Sequence, residues 1–270
     1  MKKNTIDVAE LSDRLGTPNL IVLDATIPKV AGAAPPKGKR RIPGARFFDI
    51  KKAFSDRDSP FPNTFPQVEQ FQEACRALGI DNESTVVVYD DLGIYSSPRA
   101  WWMLRTMGHK NVLVLDGGLP EWERQGYATE AVTERPIAVG NFKASFDADA
   151  VKQFEFIRSN SSSSEALVID ARSADRFYAR VPEPRADLRG GHIPRSMNIP
   201  YTEVLENGKF KSPRALKPVF EPLQGETRPL VFSCGSGITA CIVLLAGEQL
   251  LQNQLAVYDG SWTEYALKTS

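Results

Sequence analysis

Several short stretches of this 270-residue chain occur twice in the same order, and that repetition restricts the fold more than any single motif does. Leu167-Val168-Ile169-Asp170-Ala171-Arg172 echoes Val22-Leu23-Asp24-Ala25-Thr26, and Gly191-His192-Ile193-Pro194 echoes Arg41-Ile42-Pro43-Gly44. Leu230 to Gly237 falls on Val86 to Gly93, and Val257-Tyr258-Asp259-Gly260-Ser261 echoes Val114-Leu115-Asp116-Gly117-Gly118. Internal duplication is the economical explanation. The apolar runs have the length and composition of buried strands, and segments of helical period (7–15, 66–78, 97–107) lie between them. Strands that alternate with helices predict an α/β fold, each half a mostly parallel sheet flanked by helices. The chain is long enough for two such cores.

Between the halves, from about Tyr127 to Phe146, the pattern lapses into Thr, Glu, Pro and Gly, as in a linker. The expected division is a first domain over 1–130, a linker over 131–147 and a second domain over 148–270. Residues 27–41, rich in Pro, Gly, Ala, Lys and Arg, read as a loop, and the tract Ser159 to Ser164 reads as a surface loop before a strand.

Charge argues against some partners. Lys plus Arg and Asp plus Glu are both 33, so no global field invites nucleic acid or an anionic membrane. No run of 18 apolar residues or signal-like N-terminus is visible, which predicts a cytoplasmic protein. Three cysteines without a C-x-x-C pair, and two histidines, suggest neither a disulfide framework nor a metal site. Cys75 falls on the apolar face of a helix and is expected in the core. His109 follows Gly108 at a helix end and reads as an exposed cap, and His192 as a hydrogen-bonded loop anchor.

The second copy carries the chemistry. Cys234 sits where the strand Leu230 to Phe232 breaks into a loop before an apolar helix expected over 239–251. Gly235 and Gly237 allow the backbone to turn several amide N–H groups into one small bowl, and Ser236 and Thr239 add hydroxyls. Donated hydrogen bonds and a helix N-terminus both favour thiolate over thiol, so Cys234 is expected to be a nucleophile. In the first copy Asp90 takes its place, and a carboxylate cannot take up and pass on sulfur, so only the second half is armed. Such a loop serves phosphate-ester hydrolysis or sulfur transfer. The phosphatase arrangement needs an arginine six residues after the cysteine to grip the dianion, and Ala240 stands there, which leaves sulfur transfer. Six arginines lie between Arg172 and Arg195, among them Arg176 and Arg185. They suit a small carboxylate, or else a solvated face with surface ion pairs.

At these residues the chain resembles the 3-mercaptopyruvate sulfurtransferases of the rhodanese family over nearly its whole length. The resemblance rests on Cys234-Gly235-Ser236-Gly237-Ile238-Thr239-Ala240, Gly191-His192-Ile193-Pro194, Ser97-Pro98-Arg99-Ala100-Trp101-Trp102 and Tyr258-Asp259-Gly260-Ser261-Trp262. It implies two tandem rhodanese-like domains, the first non-catalytic and the second catalytic. It implies that Cys234 carries sulfur as a persulfide from mercaptopyruvate to a thiol, cyanide or thioredoxin-like acceptor, with release of pyruvate and no cofactor or metal. Arg176 and Arg185 fall on the arginines that hold the substrate's carboxylate and keto group, Ser236 on the active-loop serine, and Gly235, Gly237, Ile238 and Thr239 on the substrate-binding loop. The resemblance also implies a histidine in relay with that serine just before the first Ile-Pro. Arg41 stands there instead, and a cation at the cleft would favour thiolate forms of cysteine and donor. The alternatives are a thiosulfate sulfurtransferase and a non-catalytic persulfide-carrying module.

Overall fold

The computed structural model describes residues 4–27, 40–133 and 135–269, and most of the loop expected over 27–41 lies outside them. The chain forms two compact units. The first comprises Met1–Arg57, Phe65–Phe146 and Asn207–Lys209; the second comprises Asp58–Thr64, Asp147–Glu206 and Phe210–Ser270.

The sheet of the first unit runs Thr5–Ile6, Val112–Leu115, Thr85–Tyr89, Leu20–Asp24, Arg46–Phe47 from edge to edge, with every pairing parallel. That of the second runs Val151–Lys152, Leu255–Tyr258, Leu230–Ser233, Leu167–Asp170, Met197–Asn198, again all parallel. The orders match strand for strand, as duplication requires. The register matches as well. Asp24 pairs with Tyr89 and Asp170 with Ser233, so the next residues, Asp90 and Cys234, occupy the same place in their sheets. The central strands are apolar because both their faces are covered. In the first unit Val22, Val87 and Leu115 pack with Val8, Leu11 and Trp122; in the second Val168, Val231 and Ala256 pack with Ile157, Trp262 and Tyr265.

Helices form where the periodicity places them, at Val8–Arg14, Val68–Ala77 and Ser97–Thr106. The helix after the cysteine loop, Ala240–Gly247, is shorter than expected and buried on every side, which explains its lack of a polar face. Cys241 lies within it, and Cys75 is buried in Val68–Ala77, where burial pushes its thiol well up.

Two expectations are corrected. The serine tract is not a surface loop, because Phe154–Ser163 is a helix that buries Phe154, Ile157 and Asn160 along one side. Asn160 joins this helix to the next strand, accepting from the Ala166 N–H and donating to its carbonyl. His109 is not an exposed cap. It is 2 % exposed, with its ring edge-on to Phe142 at 5.6 Å. Phe142 comes from the segment expected to be a linker, which is fastened to the first unit. Gly140 donates to Arg76, Phe142 to Ile80 and Ser145 to Met107, all through backbone N–H groups, and Glu130–Ala131 pairs antiparallel with Arg40–Arg41.

Burial pushes the His109 imidazole down to about 4, and its Nε2 has no hydrogen-bond partner among the described residues. An unfolded chain would protonate this residue near 6.5 and the folded chain only near 4, so between those values the unfolded state binds more protons. The stabilisation is fully present above pH 6.5 and fades as the pH falls toward 4, to an extent of about 3 kcal/mol. Denaturation midpoints measured across this range should fall with acidity in the parent and less steeply in His109→Leu.

Candidate active site

Cys234 follows the strand Leu230–Ser233 and is 2 % exposed. Gly237 turns the loop with φ +78°, in the region that favours glycine, as Gly93 does at the corresponding place of the first unit with φ +98°. The loop is held from the N-terminus of the helix Ser261–Lys268. Ser261 Oγ accepts from the N–H groups of Cys234 and Gly237 at 3.2 and 3.1 Å and donates to the Tyr258 carbonyl at 3.0 Å. The Trp262 N–H donates to the Cys234 carbonyl, and the Thr263 N–H and hydroxyl to that of Gly235. The carbonyls are thereby turned to the supporting helix. The N–H groups of Gly235, Ser236, Ile238 and Thr239 have no acceptor among the described residues.

The first unit shows what such a loop accepts. There the Asp90 carboxylate takes the N–H groups of Leu92, Tyr95, Ser96 and Ser97 at 2.9 to 3.0 Å, and the Ser97 hydroxyl at 2.7 Å. Burial pushes its carboxyl up, and the bonds from Ser97, Tyr95 and Leu92 oppose that. One copy of the loop is filled by an anion from its own chain. The other presents a cysteine, whose side chain ends in a single sulfur.

The arginines separate into different roles. Arg172 is fully buried, with Nη2 2.6 Å from Asp170 Oδ2, Nη1 2.8 Å from Glu183 Oε1, and its guanidinium 4.7 Å over the Trp262 ring. Glu183, equally buried, reaches Arg176 through its other oxygen at 2.5 Å. Arg176 lies against the cysteine loop, its Nη2 3.0 Å from the point where a Cβ on Gly235 would stand. The network thus runs from the strand end at Asp170 through two arginines and one carboxylate to the loop. Of the six arginines, Arg185 alone has no side-chain hydrogen bond or ion pair among the described residues, and it is partly exposed. Arg180 pairs with Asp175, Arg189 donates to Thr269, and Arg195 to Ser164.

Among the other residues singled out in the sequence, Ile238 is buried and Thr239 precedes the helix Ala240–Gly247. Arg41 belongs to the first unit, where its guanidinium donates to Glu130 at 3.0 Å and to the Thr133 carbonyl at 2.9 Å. His192 stacks on Phe177 and its Nδ1 lies 3.0 Å from the Phe177 carbonyl, the anchoring expected of it. Ser236 receives two hydrogen bonds from the Asn63 amide. The sequence does not mark Asn63, Glu183 or Ser261 as site residues. Ser261 lies in a motif that carried the resemblance, whereas nothing local marks Glu183 or Asn63. No group of three or more His, Cys, Asp or Glu among the described residues could hold a metal ion, and none of their helices is long and apolar enough to cross a membrane.

A buried cysteine in a loop between strand and helix, on a parallel sheet whose twin carries an aspartate at the same place, defines a class that comparison with known proteins makes specific. The model of the rhodanese-like domain matches residues 7–125 and again 155–268, and the chain belongs to the rhodanese family. It is 39 % identical over 270 residues to the 3-mercaptopyruvate sulfurtransferase of Escherichia coli, covering 96 % of this chain and 93 % of that protein. To the human 3-mercaptopyruvate sulfurtransferase it is 40 % identical over 262 residues, covering 94 % and 87 %. The crystal structure of SseA from Escherichia coli, described as a 3-mercaptopyruvate sulfotransferase with the rhodanese fold, superposes with a TM-score of 0.83 at 36 % identity, covering 97 % of this chain and 99 % of that one.

Removing the negative charge of Glu183 leaves two arginines short of their shared partner, one of them completely buried. Glu183→Gln should therefore destabilise the second unit by about 3 kcal/mol. With Arg176 released from the loop, sulfur-transfer activity should fall about tenfold or more, and denaturation and steady-state rates on the same preparation check both effects.

Proposed function

We propose that this enzyme takes sulfur from 3-mercaptopyruvate, holds it as a persulfide on Cys234 and passes it to a thiol, cyanide or a thioredoxin-like redox protein. The observation that carries the reading is the contrast between the two loops: four amides of the first are occupied by Asp90, whereas in the loop after Cys234 the N–H groups of Gly235, Ser236, Ile238 and Thr239 have no acceptor among the described residues. An open ring of donors suits the negative charge of a thiolate and then of a persulfide. The identity to 3-mercaptopyruvate sulfurtransferases of a bacterium and of human supports the choice of donor. So does a loop with no charged side chain from Gly235 to Thr239, since the donor's own anionic group is then met by arginines outside it.

In the first half-reaction the Cys234 thiolate attacks the donor sulfur. The new bond joins the two sulfurs and the bond from sulfur to carbon breaks, so the electron pair leaves on carbon as the enolate of pyruvate. That enolate takes a proton from water or from Ser236, whose hydroxyl is restored by the proton that the donor's thiol carried onto the new persulfide. Arg185, with no partner of its own, and Arg176, held by Glu183 beside Gly235, are assigned the carboxylate and the keto oxygen, where charge grows as the enolate forms. Amides from Gly235 to Thr239 stabilise the persulfide. In the second half-reaction the acceptor's thiolate or cyanide attacks the outer sulfur and the Cys234 thiolate departs. No step calls for a metal. Arg41, engaged by Glu130 and Thr133, is assigned to the first unit's structure and not to substrate. Three free cysteines favour a reducing compartment, for which the cytoplasm is the simplest choice.

Mass analysis of the protein after exposure to mercaptopyruvate should show a gain of one sulfur on Cys234. Cys234→Ser should lose both the gain and all turnover, while Cys75→Ser retains them. Arg185→Ala should lower kcat/KM for mercaptopyruvate roughly thirtyfold, the loss of one charge-assisted contact, and leave thiosulfate turnover far less affected. Faster turnover of thiosulfate than of mercaptopyruvate by the parent would make the thiosulfate enzyme the better reading.

A further inference from the structure

Residues Asp58–Thr64 precede most of the first unit in the chain yet belong to the compact unit that contains Cys234. They form a small self-closed loop. Ser59 and Thr64 hydroxyls lie 2.6 Å apart, the Phe61 N–H donates to Ser59 Oγ at 3.1 Å, and Thr64 Oγ1 donates to the Phe61 carbonyl at 3.0 Å. Asn63, at its tip, is 4 % exposed and has φ +60°, a conformation that asparagine tolerates better than most residues. Its Nδ2 donates to the Ser236 carbonyl at 2.9 Å and to Ser236 Oγ at 3.1 Å.

We propose that Asn63 is a positioning residue for sulfur transfer, clamping Ser236 by its carbonyl and its hydroxyl so that the serine presents its own proton to the reacting substrate. A hydroxyl that accepts a hydrogen bond keeps one proton to donate, and the accepted bond makes it the better donor. The carbonyl bond fixes the peptide between Ser236 and Gly237, in the loop that follows Cys234. The amide carries no titratable proton, so Ser236 acts here as a hydrogen-bond donor and not as a base served by its neighbour. This inference rests on the role proposed for Ser236 and adds the residue that aims it.

Asn63→Asp keeps the shape and tolerates the backbone conformation but replaces two donors with a carboxylate, and Asn63→Gly keeps the backbone and removes the side chain. The expected result is a fall in kcat for mercaptopyruvate of about tenfold in Asn63→Gly and more in Asn63→Asp, with KM changed less than threefold. In a Ser236→Ala background the cost of Asn63→Gly should shrink severalfold, because part of its action runs through the missing hydroxyl. Alkylation of Cys234 by iodoacetamide near neutral pH needs no donor substrate. It should slow severalfold in Asn63→Asp, where a new carboxylate borders the loop, and hold within twofold in Asn63→Gly. If mercaptopyruvate proves to be the wrong donor, the alkylation pattern still reports on Asn63, and slowed alkylation in Asn63→Asp would uphold the clamp. Parent-like kcat and parent-like alkylation in Asn63→Asp, or losses that simply add in the double variant, would overturn it.

Discussion

Backbone N–H groups turned toward one point at the end of a strand require something negative, and both halves of this protein are arranged around that requirement. The first half meets it with the Asp90 carboxylate, which reaches back from the strand end to accept four amides and a hydroxyl. The second half places the Cys234 sulfur there, with Ser261 Oγ 4.0 Å from it, and the N–H groups of Gly235, Ser236, Ile238 and Thr239 have no acceptor among the described residues. The same place in the sheet is therefore structural in one copy and, in the proposed function, chemical in the other. The difference lies largely in one side chain, placed by identical strand register.

Holding such a loop open has a structural cost. Its carbonyls must be satisfied while its amides stay free, and the helix Ser261–Lys268 does this by presenting its first N–H groups and the Thr263 hydroxyl to Cys234 and Gly235. Positive charge comes through a chain of ions, Asp170, Arg172, Glu183 and Arg176, that is buried except at Arg176, whose side chain is 26 % exposed. Buried ions are costly to desolvate, and this chain fixes the position of a cation more than it adds stability. Arg185, outside the chain, keeps its guanidinium available.

Much of this could be read from the residues alone. Strands buried on both faces announce themselves as unbroken apolar runs, and the repeat placed Asp90 on Cys234 before any pairing was known. The failures have one cause, tertiary burial that no local pattern reports. Serine is a poor predictor of helix, but Phe154, Ile157 and Asn160 bury one side of theirs, and that packing outweighs propensity. His109 is enclosed because Phe142 returns from a segment of linker-like composition. Asn63 bonds to a residue 173 positions away, and no spacing rule reaches that far; Glu183 lies only 7 and 11 positions from Arg176 and Arg172, in a stretch whose composition does not tell a buried ion pair from a solvated face.

The depth of the cysteine sets a limit on what can collect its cargo. Cys234 is 2 % exposed, so its own sulfur is closed to any broad surface. A second sulfur stands about 2 Å farther out. In the proposed cycle, loading would convert a recessed atom into a reachable one, and unloading would withdraw it again. Were the acceptor of the proposed reaction a protein, it would have to offer its thiol on a narrow projection and touch only the outer atom. Contact with the inner sulfur, which would leave the two proteins joined by a disulfide, would be hindered by depth alone, and in the proposed reaction the recess would act as a ratchet that favours handing the atom on over becoming trapped with it.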